Sequence, residues 1–130
     1  MAVIIRNQSP FLYLGGAYWS GNNDQYERFI RHEIWQPEND DYDDLIKQIK
    51  VDDRIAIKKG TGGGSPDMII RAIGIVRGVD SSRRTVYVDW KVTGMKRRVL
   101  SHGCLKALHG PFIKGKDPET TNWMNKILCL

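Results

Sequence analysis

Residues 54–92 contain Arg54-Ile55-Ala56-Ile57-Lys58, a glycine-rich stretch from Lys59 to Pro66, then Met68-Ile69-Ile70-Arg71-Ala72-Ile73-Gly74-Ile75-Val76. After Asp80-Ser81-Ser82-Arg83 follows Thr85-Val86-Tyr87-Val88-Asp89-Trp90-Lys91-Val92. Isoleucine and valine dominate the three apolar runs, and glycine, serine and aspartate separate them, which is the pattern of strands joined as hairpins. The stretch predicts strands over 54–58, 68–76 and 85–92, with residues 80–83 as a turn.

Downstream, Gly94 marks a turn, Lys96-Arg97-Arg98-Val99-Leu100 reads as a strand, and residues 101–116 read as irregular. Asp117-Pro118 supplies an N-cap with proline at the first helical position, and Trp123, Met124, Ile127 and Leu128 form one apolar helical face. Upstream, Met1–Asn7 reads as a short strand or tail. Phe11–Gly16 reads as a strand whose two glycines mark a bulge or a close backbone approach. Ser20–Asp24 predicts a loop and a helix start, with Asp24 and Glu27 at capping-box spacing. Tyr26, Phe29, Ile30 and Ile34 then share a helix face that ends near Trp35, before Pro37. Asn39–Asp41 caps a second helix through Tyr42, Leu45, Ile46 and Ile49, so the acidic run at 40–44 has a structural explanation and no metal site is expected there. With no internal repeat and no long linker, residues 1–130 are expected to form one α+β domain. Its mainly antiparallel sheet is expected to curl into a barrel with flanking helices.

Composition narrows the function classes. The chain of 130 residues is 41% hydrophobic, enough for one core, and its longest apolar runs are far shorter than the roughly 18–20 residues of a membrane span. Met1–Arg6 has no basic region ahead of a signal-length apolar run, and two cysteines make no disulfide framework, so a reduced cytoplasmic setting is expected. The net charge of +5 is uneven: residues 1–50 carry 5 basic and 8 acidic side chains, residues 51–130 carry 15 and 7. A basic half suggests a polyanionic partner, most readily nucleic acid.

Catalytic and nucleotide motifs are absent. Gly60–Ser65 has its lysines ahead of the glycines and a strand behind, so it matches neither a phosphate-cradling loop nor a dinucleotide fingerprint. His102-Gly103-Cys104 with His109 has no metal-ligand spacing and no orienting acid. Neither a cofactor nor a catalytic residue is expected.

Of the four tryptophans, Trp123 lies in a helical stripe, Trp90 ends a strand and Trp35 follows a helix end. Trp19 differs, because it precedes the polar loop Ser20–Asp24. There its indole can wall a pocket mouth, with Asn22, Asn23 and Asp24 as polar readers. A base stacked on such a ring gains roughly 1–3 kcal/mol.

Leu14-Gly15-Gly16-Ala17-Tyr18-Trp19-Ser20-Gly21-Asn22-Asn23-Asp24-Gln25-Tyr26-Glu27-Arg28-Phe29, followed by Ile34-Trp35, resembles the opening of EVE-like domains of the PUA superfamily. The module found ahead of McrB-type AAA+ restriction GTPases is the most similar kind. Ile49–Lys58 resembles that family's strand of the form K-V-G-D-R-I-A-I-K, with Asp52 in place of the usual glycine, and Ala72–Val76 and Val88–Trp90 match later strands. The resemblance covers residues 11–92. It implies a PUA-like barrel holding a modified base in an aromatic pocket. Trp19, Tyr18, Ala17, Asn22, Asn23, Asp24, Trp35, Lys59, Gly60 and Ser65 would lie around that pocket; Lys58, Arg83, Arg84, Lys96, Arg97 and Arg98 are expected to grip phosphates from the charge of the second half, not from the resemblance. It further implies a non-enzymatic DNA reader of a modification-dependent restriction system, with an AAA+ GTPase domain in cis and a nuclease subunit as partners. The alternatives are an RNA-binding PUA-like module, or a small ASCH-like nucleoside or RNA hydrolase using Lys58 and Asp53.

Overall fold

Leu12–Gly16 forms the first strand, β1, and it has no polar face: Leu12, Tyr13 and Leu14 are all fully buried. A strand buried on both sides belongs inside a sheet. It pairs in parallel with β5 (Arg54–Gly60) and antiparallel with β9 (Leu108–Phe112). The computed structural model describes residues 10–20 and 22–129, so the strand or tail expected at Met1–Asn7 lies outside the described residues. Between β1 and β5 come the short hairpin strands β2 (Tyr18–Trp19) and β3 (Asn23–Asp24), helix α1 (Tyr26–His32), strand β4 (Ile34–Trp35) and the single-turn helix α2 (Asp43–Ile46). After β5 follow β6 (Asp67–Asp80), β7 (Thr85–Val92), β8 (Arg97–Leu100), β9 and helix α3 (Pro118–Leu128).

The main sheet runs β4-β7-β6-β5-β1-β9, with β8 paired to the start of β6. The strands expected at 54–58, 68–76, 85–92 and 96–100 all form, and β6 extends the second of them to Asp80. The sheet is mainly antiparallel, as expected, with one parallel pair, β1–β5, whose crossover contains α1 and α2. Among the described residues no pairing joins the outer strands β4 and β9, so the pairings describe an open sheet rather than a closed barrel.

Both faces of the sheet are covered. Tyr13, Ile55, Ile57, Ala72 and Val88 pack with Phe29 of α1 and Trp35 of β4 on one face. Leu12, Leu14, Ala56 and Met68 pack with Trp123, Met124 and Ile127 of α3 on the other. Asp117 caps α3 as expected, its carboxylate accepting from the Thr120 N–H at 2.6 Å. The start of α1 differs: Gln25 occupies the cap position without a side-chain bond to the helix's backbone N–H groups, and Asp24 accepts from the Tyr26 N–H instead of closing a box with Glu27. Ile34 and Trp35 leave the helix because Glu33 turns left-handed at φ 55°, and they form β4 against Val86 and Tyr87.

Two backbone positions shape the core and the entry to β5. A Cβ on Gly15 would collide with the Trp35 ring nitrogen and fall 2.6 Å from its Cε2, so only glycine admits the indole at that point in β1. Asp52 adopts φ 76°, the left-handed conformation that glycine favours and aspartate tolerates. The turn before β5 therefore keeps a glycine-type shape without the glycine.

Candidate functional site

Tyr18 and Trp19 are neighbours on β2, and successive side chains of a strand point to opposite faces. The β2–β3 hairpin stands apart from the main sheet, pairing Tyr18 with Asp24 and Trp19 with Asn23. Its two aromatic rings accordingly meet different surroundings.

Trp19 is half-buried. Its ring meets Phe29 edge-on at 6.4 Å, and the Arg28 guanidinium lies 5.1 Å from its centre. It walls a recess of about 390 Å³, with Ser20 and Asn22 on the same side and Glu38, Asp41 and Tyr42 opposite. That volume is at the lower end of the roughly 300–1,000 Å³ of small-ligand sites. Ser20 fixes Glu38: its amide donates at 2.6 Å to one carboxylate oxygen and its hydroxyl at 2.5 Å to the other. The hydroxyl and then the amide hold the Glu38 carboxyl below the usual range. No lysine or arginine lines the recess among the described residues. An aromatic wall facing acceptors and amides suits a flat, donor-bearing group and repels a phosphate.

Tyr18, which also borders the recess, is 45% exposed, with Lys59 Nζ 5.3 Å and the Arg71 guanidinium 5.9 Å from its ring centre. Asp24 grips Arg71 with two bonds of 3.0 and 2.9 Å, and Arg71 also lies 4.1 Å from the Tyr26 ring centre. Partial burial works against ionisation of Asp24. The Arg71 bonds, the Tyr26 N–H and the nearby Lys59 outweigh it, holding the carboxyl below its ordinary value.

The structure thus divides the residues expected around one pocket. Trp19, Tyr18 and Asn22 line the recess, whereas Asn23 lies exposed on the hairpin and Asp24 is committed to Arg71. Ala17 is fully buried, and its carbonyl accepts from Gln25 N–H at 2.7 Å. Trp35 is not a pocket wall: it is fully buried and its indole donates to the Gly16 carbonyl at 3.0 Å. Lys59 and Gly60 are exposed at the end of β5, and Ser65 accepts from Asp67 N–H inside the glycine-rich loop. None of these three lines the recess.

The expected phosphate residues divide as well. Lys58 is only 7% exposed, so it does not present its ammonium to a polyanion. Arg84 is tied to Asp43 at 2.7 Å and joins β7 to α2. Arg83 is exposed beside Asp80, and Lys96 is exposed. Arg97 and Arg98 line a larger hollow of about 760 Å³ between β8 and α3. Arg97 donates to the Ile127 carbonyl there, Arg98 pairs with Asp67, and Trp123 is 6% exposed, so the hollow offers no open ring for stacking. Asp53, which sits roughly 16 Å along the strand from Lys58, accepts from the Phe11 and Lys50 N–H groups. The two do not form an acid–base pair.

Sequence reading placed Asp41 in a helix cap and Tyr42 on a helix face, and singled out neither Glu38 nor Arg71, the latter hidden within an apolar run. The one cation in the isoleucine-rich run 68–76 was the available signal. No protein-family model matches the chain, and no curated protein matches it in sequence.

Proposed function

We propose that the chain is a non-enzymatic nucleic-acid reader that takes one modified base, turned out of its duplex, against Trp19. The observation that supports it is the half-buried Trp19 ring on a base-sized recess with acceptors opposite and no cation within. Turning a base out costs a few kcal/mol, and stacking on Trp19 with two or three polar contacts offsets it. Asp41 and Asn22 are the edge readers in this account, and Trp35 holds the strand behind them. The glycine-type turn at Asp52 supports the EVE-like resemblance, and with it a PUA-like barrel in which β4 and β9 are the free edges. On that reading the mark is a methylated base in DNA. The module confers specificity on a restriction system in the cytoplasm, and an AAA+ GTPase domain and a nuclease subunit perform the later steps.

Trp19→Ala tests the assignment. Binding of matched duplexes with and without the modification, at one ionic strength, should lose its preference while weak salt-dependent affinity remains. An unchanged preference removes Trp19 from the role.

A further inference from the structure

Beside the Trp19 recess, whose wall it shares, the exposed Tyr18 ring meets two cations, Lys59 and Arg71, that do not line the recess. From this geometry we infer that Tyr18, Lys59 and Arg71 form a second subsite, a platform on which one base of a single-stranded polynucleotide stacks while its flanking phosphates lie against the cations. It shares with the preceding reading only the polynucleotide partner, and needs no base in the recess.

Tyr18 leaves 45% of its surface to water, although an aromatic ring buried in a core would gain far more. Arg71 is held in place rather than swinging: Asp24 binds it with two bonds, and the Tyr26 ring lies beneath it at 4.1 Å. Asp24 neutralises one of the two positive charges, so Lys59 leaves the group net cationic beside the ring. A ring face with adjacent cations is the pattern by which proteins hold single strands without reading sequence, since every base has a π-face. The Trp19 recess contains no cation among the described residues, so a strand delivering a base to it needs its phosphates held elsewhere. Tyr18 and Trp19 are consecutive, so the platform adjoins the recess.

Fluorescence anisotropy with labelled oligothymidylate, an unmodified single strand, tests the platform. Tyr18→Ala should weaken binding about 5- to 150-fold, the stacking energy of one base, and Tyr18→Phe should retain it. Lys59→Ala should weaken binding and reduce the salt slope by about one. Oligouridylate should show the same loss with Tyr18→Ala, because a ring face reads neither sugar; a loss confined to one sugar contradicts stacking. Tyr18→Ala binding like the parent, or a parent that does not bind the strand at low salt, overturns the platform. Failure of the Trp19 reading appears in a separate quantity, the ratio of modified to plain duplex binding.

Discussion

Lys58 shows how burial reassigns a side chain. Its place at the root of a glycine-rich loop suggests a phosphate contact, yet only 7% of it is exposed. Burial pulls its pKa below the ordinary value of 10.5, and the nearby Cys104 thiol offsets only part of that. Between the lowered folded pKa and 10.5 the unfolded chain carries a proton that the folded chain has lost. Stability therefore rises with pH through that window. Lys58→Met removes the cost of burying the ammonium. It should stabilise the protein at neutral pH by on the order of 1 kcal/mol, with an advantage that shrinks as pH climbs toward 10.5. Urea midpoints measured across that range check the sign, and polynucleotide affinity should not fall. Trp35 carries the same lesson: its neighbours in sequence do not reveal that Gly15 leaves a slot for its ring.

Elements with a strong local signal were legible, and those made by tertiary pairing were not. The three isoleucine- and valine-rich runs become β5, β6 and β7, and Asp117-Pro118 opens α3. β9 was not foreseen, because His109-Gly110-Pro111 reads as a breaker; it forms only by pairing with β1 at the sheet edge, where proline is tolerated. α2 stops after one turn, and its acidic run is divided between a tie to Arg84 and the recess wall. For the site, Trp19 was recognisable by its position before a polar loop, whereas the acids facing it across the recess depend on how residues 37–42 return past the hairpin. The cap of α3 yields a prediction at this scale. The Thr120 amide, then the Thr120 hydroxyl, holds the Asp117 carboxyl below its ordinary 3.8. Its folded pKa being depressed, the contribution is present above 3.8 and disappears as pH falls through the folded value. Asp117→Ala should lower the thermal midpoint at neutral pH, and the difference from the parent should fade in acid.

Across the whole molecule, ion pairs join the acidic first half of the chain to its basic second half. Arg71–Asp24 and Arg84–Asp43 are these ties, while Lys59 and Lys96 lie exposed. The sheet, covered on both faces, holds the β2–β3 hairpin at its margin with a different ring on each side. Three of the four indoles are anchored: Trp35 donates to Gly16, Trp90 to Phe29 and Trp123 to Leu100, at 3.0, 3.0 and 2.8 Å. Indole N–H resonances followed by NMR during titration with a duplex carrying a methylated base therefore probe base capture directly. The Trp19 signal should shift while the signals of Trp35, Trp90 and Trp123 stay in place. Binding that leaves the Trp19 signal unmoved contradicts the account.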